Sequence, residues 1–185
     1  MSKRYSVNGS DFYRMIVEGA KHLQANVDAV NALNVFPVPD GDTGTNMNLT
    51  LASGVKELKK ISSSHLGRAA EALAKGLLMG ARGNSGVILS QLFRGFAKSV
   101  AAHEHISATQ FAAALQQGVD TAYKAVVKPV EGTILTVARE AARHATAIAR
   151  KIGDIADLME EVARKAKEAL AKTPEQLPVL KQVGV

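Results

Sequence analysis

Apolar residues recur at intervals of three and four along most of this chain, which is the spacing of one face of an α-helix. Each apolar stripe is separated from the next by a short polar or glycine-containing stretch. The predicted helices cover residues 11 to 33, begin near Asn46, Leu66, Asn84, Ser107 and Thr133, and end with one that Asp154 opens. The pattern therefore predicts seven long helices.

No useful length of the chain alternates apolar and polar residues with period two, so no sheet is expected. Short connections favour antiparallel neighbours. Thr173, Pro174 and Gln176 are interpreted as the cap, first and third positions of a further helix, which stops at Val185 after a turn or two. The predicted fold class is all-α. It is an up-and-down antiparallel bundle or barrel of seven long helices plus a truncated eighth, in a single domain over residues 1–185.

The segment from Asn34 to Asn46 interrupts the helical pattern. Two prolines, two glycines and the carboxylates of Asp40 and Asp42 fall within eight of its residues. Thr43 or Thr45 is predicted to cap the next helix, which would leave free backbone N–H groups beside the acids. Such a loop suits a divalent cation held together with a phosphate, and the alternative is a solvated turn.

Familiar ligand-binding loops do not explain this segment. An EF-hand that starts at Asp40 would require residues other than Gly44, Thr45 and Leu51 at its fifth, sixth and twelfth positions. The chain contains neither the G-x-x-x-x-G-K-[ST] pattern of a P-loop nor the G-x-G-x-x-G pattern of a dinucleotide-binding fold. A phosphate site here would be of another kind.

Two further stretches break the helical pattern. Residues 80–86 contain three glycines, with Arg82 as a cation and Asn84 or Ser85 as the predicted cap of the next helix. Taken alone, this stretch also fits an ordinary turn between antiparallel helices. The third stretch, 128–133, contains a proline and a glycine and ends at Thr133, a predicted helix start. Alternating helix directions place all three loops at the same end of the bundle.

Composition narrows the function classes. The chain has no cysteine, which excludes disulfides, thiolate zinc sites and a cysteine nucleophile. Its charge of +6 is spread over all the helices, and aromatic residues make up 4% of the chain. With no nucleic-acid-binding signature, an anionic partner or a nucleotide is favoured over DNA or RNA. No signal peptide and no apolar run near the roughly 18 residues of a membrane helix is found, so a cytoplasmic protein without a transmembrane segment is expected.

The three loops together resemble a known family. P-V-P-D-G-D-T-G-T-N-M at 37–47, G-A-R-G-N-S-G at 80–86 and K-P-V-E-G-T-I-L at 128–135 are similar to the N-terminal nucleotide-binding domain of the bacterial fatty acid kinase. That domain is itself similar to the ATP-binding L subunit of dihydroxyacetone kinases. The resemblance implies an enzyme built on a barrel of eight antiparallel helices that binds ATP or ADP and two Mg²⁺ ions at one end. It also implies that a separate fatty-acid-binding protein presents the acyl chain, whose carboxylate receives the γ-phosphoryl group.

Site residues follow from the same resemblance. It assigns the metal ions to Asp40 and Asp42, with Asn34 nearest to a third ligand of dihydroxyacetone kinases. The full set of nucleotide contacts that it implies is Thr43, Gly44, Thr45, Asn46, Asn84, Ser85 and Thr133. Arg82 is a candidate for stabilising charge on the γ-phosphate, and its alternative is a surface arginine near a loop.

The resemblance leaves alternatives open. The family continues past the equivalent of Val185 into a last helix and C-terminal domains, so the chain is expected to be a fragment of a longer kinase. A dihydroxyacetone kinase subunit would use a different acceptor, and assays of acceptors would distinguish it. A helical interaction module without catalysis would lack magnesium-dependent nucleotide binding.

Overall fold

The computed structural model describes residues 3–185, which form ten helices and two short strands. The elements are β1 (Val7–Asn8), α1 (Gly9–Ala25), α2 (Val27–Ala32), α3 (Thr43–Lys59), α4 (Leu66–Gly80), α5 (Gly83–Val100), β2 (His105–Ile106), α6 (Ala108–Ala125), α7 (Ile134–Ile148), α8 (Ile155–Ala171), α9 (Thr173–Gln176) and α10 (Pro178–Gln182). The seven long helices, α1 and α3 to α8, confirm the all-α prediction.

Consecutive long helices from α3 to α8 pack against one another, and α1 lies against α3 and α4. Their apolar faces meet in a core that contains Leu58, Leu73 and Leu77, each fully buried. Phe96 lies at the centre of an aromatic group: its ring stacks on Phe12 with centroids 5.5 Å apart and meets the edge of Phe111 at 5.4 Å. The periodic stripes therefore face the core as predicted.

The first predicted helix is divided in two. The Asn26 side chain donates to the His22 carbonyl at 2.8 Å, and this residue lies between α1 and α2. A side-chain bond of this kind competes with the backbone ladder. The prediction of one helix over residues 11–33 was therefore wrong at this residue.

One end of the bundle, here the closed pole, is held by the N-terminal residues 4–9. Val7 and Asn8 pair with Ile106 and His105 in an antiparallel ladder, so the prediction of no sheet was wrong for two residues on each side. Gly9 donates to the Ser64 carbonyl at 2.7 Å, between α3 and α4. The Ile155 amide donates to the Arg4 carbonyl at 2.8 Å, which joins α8 to the same end.

The other end, here the loop pole, carries the α2–α3, α4–α5 and α6–α7 connections, since successive helices alternate in direction. α9 also lies there, after α8. The predicted capping role of Thr173 was wrong: this residue begins α9, and its hydroxyl donates to the Leu170 carbonyl at 2.8 Å. Over residues 3–185, no helix is both long and apolar enough to cross a membrane.

Candidate nucleotide and metal site

The α2–α3 loop is organised by one side chain, Asn34. Its Oδ1 accepts from the amides of Asp42 and Thr43 at 3.1 and 3.2 Å, and its Nδ2 donates to the Val38 carbonyl at 2.9 Å. Both lone pairs of the amide oxygen and one of its N–H groups are therefore engaged in shaping the loop. In this arrangement the Asn34 oxygen would have to release a backbone amide before it could bind a metal.

A second asparagine, Asn31, caps α3 from outside the helix. Its Oδ1 accepts from the Thr45 amide at 3.1 Å, and its Nδ2 donates to the Thr45 hydroxyl at 3.0 Å. The cap residue of α3 is Asp42, without a side-chain bond to the helix. The prediction that Thr43 or Thr45 caps α3 was therefore wrong. Of the free backbone N–H groups expected at this helix start, those of Thr43 and Thr45 are bound by asparagine side chains, and that of Gly44 has no partner among the described residues.

Asp40 and Asp42 have no hydrogen-bond or ion-pair partner for their carboxylates among residues 3–185. Asp40 is exposed and Asp42 half-buried. Within the same residues, no group of three or more His, Cys, Asp or Glu side chains is arranged to hold a metal. Two unpartnered carboxylates still suit Mg²⁺, because this ion commonly takes one or two protein carboxylates and completes its shell with water and phosphate oxygens.

The α4–α5 loop lies directly on α3. The Thr50 hydroxyl accepts from the Arg82 amide at 3.1 Å and donates to the Asn46 carbonyl at 2.7 Å. Gly83 has φ +62°, and a Cβ at this residue would stand 2.6 Å from Nδ2 of Asn46. Glycine is needed here because the left-handed backbone and the nearby amide both disfavour a side chain. The first two loops are thus in contact, as predicted.

The first turn of α5 has no side-chain cap. Its cap residue is Arg82, and the amides of Gly83, Asn84 and Ser85 have no hydrogen-bond partner among the described residues. The side chains of Asn84, Ser85 and Arg82 are likewise unpartnered there. The prediction that Asn84 or Ser85 caps α5 was wrong. Among the described residues, one amide of the first turn of α3, that of Gly44, has no partner, compared with three at the start of α5. Three free N–H groups at a helix N-terminus favour an anion.

The α6–α7 loop ends in the predicted cap: the Thr133 hydroxyl accepts from the Leu135 amide at 3.3 Å. The same hydroxyl donates to the Val130 carbonyl at 2.8 Å. An ion pair between Glu131 and Arg139 closes the loop from the α7 side. Alternation of the helices brings this loop to the loop pole, but the described contacts do not join it to the first two loops.

The DAK2 domain family model matches residues 37–185, which include all three loops. The chain belongs to the DAK2 domain family. DAK2 domains are found in kinase subunits, so membership supports a kinase-like role.

Relatives of this DAK2 domain are much longer proteins. The chain is 59% identical over 180 residues to Protein YloV of Bacillus subtilis, with 97% of this chain and 32% of that protein covered. It is 56% identical over 179 residues to an uncharacterised protein of Staphylococcus epidermidis, and the match covers 97% of this chain and 32% of that protein. An uncharacterised protein of Staphylococcus aureus is 55% identical over 179 residues, with 97% and 33% covered. The chain spans about a third of the length of these relatives.

Sequence reasoning missed three residues that organise the site of this DAK2 domain. Asn31 lies three residues before Asn34, and two asparagines at this spacing ahead of a loop were a possible signal of paired caps. Thr50 looks like an ordinary helical position, and its contact with the Arg82 amide spans 32 residues. Arg139 gave no signal, because its partner Glu131 lies eight residues away across a helix start.

Replacing Asn34 by alanine is expected to lower the free energy of unfolding by about 1–2 kcal/mol, since two backbone amides lose their acceptor. Amide exchange of residues 38–45 is expected to become faster. Asn34→Asp keeps the acceptor oxygen, so its free energy of unfolding is expected to fall by less than that of Asn34→Ala. Thermal unfolding and hydrogen exchange measure both effects, and wild-type exchange in Asn34→Ala would show that the loop does not depend on this side chain.

Proposed function

We propose that this domain binds ATP with magnesium and transfers the γ-phosphoryl group to the carboxylate of a fatty acid, which a separate fatty-acid-binding protein presents. The observation that carries the nucleotide proposal is the pair of unpartnered carboxylates, Asp40 and Asp42, in the loop that leads into α3, whose first turns contact the uncapped N-terminus of α5. Asp42 is one turn from Asn46, and the Asn46 side chain lies against Gly83. Membership of the DAK2 family supports a nucleotide as the ligand.

Each part of this site has a separate task in the proposal. Asp40 and Asp42 would hold the magnesium ions, of which we propose two, together with phosphate oxygens and water. The bound metal would neutralise phosphate charge. The amides of Gly83 and Asn84 would face the phosphates from the N-terminus of α5. The Arg82 guanidinium, which has no partner among the described residues, would stabilise charge that develops on the transferring group. Asn34 keeps the loop in shape.

The remaining contacts of the proposed site come from the α3 and α7 starts. Thr43 to Asn46 would lie along the phosphates, and Thr133 would approach the nucleotide from the third loop. Phosphoryl transfer asks the protein mainly for positioning and charge stabilisation. A carboxylate acceptor is ionised near neutral pH, so the absence of an obvious general base agrees with such an acceptor.

Calorimetric titration of ATP and ADP, with magnesium and again with excess chelator, tests the nucleotide part. Binding that requires magnesium is expected. A transfer assay on the full-length protein then tests the acceptor, with a fatty-acid-loaded carrier protein compared with dihydroxyacetone. Phosphoryl transfer to dihydroxyacetone would replace the fatty acid proposal, and a well-folded protein without nucleotide binding would indicate a helical module without catalysis.

A further inference from the structure

We propose that Glu131 and Arg139 are positioning residues that hold the α6–α7 loop rigid against the bound nucleotide, and that Glu131 is not a metal ligand. The inference rests on the proposed function, since it takes the loop to face a nucleotide. The loop contains the one carboxylate of the motif at 128–135, and a carboxylate near a phosphate site invites assignment to the metal. The contacts of Glu131 argue for a different role.

Arg139 binds Glu131 through two parallel hydrogen bonds. Its Nη1 donates to Oε1 at 2.6 Å and its Nη2 to Oε2 at 2.8 Å. Nη1 also donates to the Tyr123 hydroxyl at 3.0 Å, and the guanidinium carbon lies 5.7 Å from the centre of the Tyr123 ring. The Nε donates to Glu140 at 3.2 Å. A guanidinium group with this many partners has little freedom to turn toward a phosphate.

Both oxygens of the Glu131 carboxylate have partners as well. Besides the two bonds from Arg139, its Oε2 accepts from the Thr136 hydroxyl at 2.8 Å. The Arg139 guanidinium holds the pKa of the Glu131 carboxyl below its usual range. Asp40 and Asp42 differ from Glu131 in their bonding, because their carboxylates have no partner among the described residues. A metal ion would therefore find free charge at these aspartates and a neutralised carboxylate at Glu131.

The network reaches the loop backbone through Thr136. This residue is buried, and its hydroxyl accepts from the Gly132 amide at 2.9 Å while it donates to Glu131. One side chain thus joins the ion pair to the amide of Gly132, the residue immediately before Thr133. The loop conformation depends on the pair rather than on the cap alone.

α9 holds the other side of the loop. Gly132 has φ +80°, and a Cβ at this residue would stand 2.7 Å from Cβ of Leu177 and 2.9 Å from the Thr173 carbonyl oxygen. The backbone at Gly132 is therefore enclosed between Thr136 and α9. A loop enclosed in this way is arranged before any ligand arrives, which reduces the ordering cost of binding.

The test compares Glu131→Gln with wild type in two measurements. Without nucleotide, hydrogen exchange of the Gly132 amide is expected to become about tenfold faster or more. With Mg·ADP, the dissociation constant is expected to rise about tenfold, in the range found for residues that support a site without touching the metal. The magnesium concentration for half-maximal binding is expected to stay within about twofold of wild type.

Glu161→Gln is the matched control. Glu161 accepts from Arg164 at 2.6 and 3.2 Å and from His144 at 2.9 Å. The variant therefore removes a similar ion pair within α8, together with its bond to α7, away from the loop. Neither Gly132 exchange nor Mg·ADP affinity is expected to change. Arg139→Lys keeps the positive charge but cannot form the two parallel hydrogen bonds. Its Gly132 exchange rate and its Mg·ADP dissociation constant are expected to lie between those of wild type and Arg139→Gln.

The outcomes separate this inference from the function on which it rests. Unchanged Mg·ADP affinity in Glu131→Gln would overturn the positioning role, and a shifted magnesium requirement would make Glu131 a metal ligand. If the wild-type chain does not bind Mg·ADP, the nucleotide proposal fails and the positioning role falls with it. The exchange measurement would then still report whether the ion pair holds the loop.

Discussion

Magnesium-dependent ADP binding is expected to be lost when Asp40 and Asp42 are both replaced by asparagine. The amide keeps the size of the carboxylate but removes two negative charges from a site built for a hard cation. We expect at least about a 100-fold loss of affinity, the upper end of what the loss of a supporting residue costs a metal site. The midpoint of thermal unfolding should not fall, because neither carboxylate has a partner among the described residues.

The control is a double variant with the same change in net charge. Within residues 3–185, Asp120 on α6 accepts a hydrogen bond from Gln116 alone, at 2.9 Å, and Asp157 lies in the first turn of α8. Asp120→Asn with Asp157→Asn is expected to bind Mg·ADP as wild type does. Calorimetric titration at several magnesium concentrations measures both variants. Unchanged binding by the Asp40 and Asp42 variant would mean that their loop is a solvated turn.

Replacing Gly118 by alanine is expected to destabilise the bundle by about 2–4 kcal/mol, the cost of forcing an atom into a close-packed contact. A Cβ at Gly118 on α6 would stand 2.5 Å from the Leu92 carbonyl oxygen on α5. The approach is reciprocal, since a Cβ at Gly95 would stand 2.7 Å from Cα of Gly118. Only backbone atoms could move to relieve these contacts, so the two helices would have to separate.

Gly19 on α1 provides the matched control, because a Cβ there would meet nothing within 4 Å. Gly19→Ala is expected to stabilise the protein by about 0.5–1 kcal/mol through helix propensity alone. For Gly118→Ala the midpoint of thermal unfolding should fall by about 5–12 °C. Circular dichroism or calorimetry measures both midpoints, and a stabilised Gly118→Ala would contradict the close packing of α5 on α6.

Most of the fold was predictable from the sequence because each helix is encoded over a few neighbouring turns. The apolar stripes gave seven long helices, and the helix starts at Ser107, Thr133 and Asp154 are confirmed by side-chain caps. The predicted helix bounds were wrong where a polar side chain competes with the backbone for a hydrogen-bond partner. Asn26 divides the first helix through its bond to His22, a choice that periodicity cannot register.

The candidate site was predictable in its residue types and less so in its bonding. Residue types and spacing were enough to place the carboxylates of Asp40 and Asp42 in a loop near a helix start, and the alternation of helix directions was enough to bring three loops to one pole. The packed fold was needed to show that Asn34 and Asn31 bind the Thr43 and Thr45 amides of α3, and that three amides at the start of α5 have no partner among the described residues. The pairing of Glu131 with Arg139 also became visible only in the folded structure. The physical reason is that periodicity and capping act within a few residues, whereas a hydrogen-bond partner 8 to 14 residues away depends on where whole elements pack.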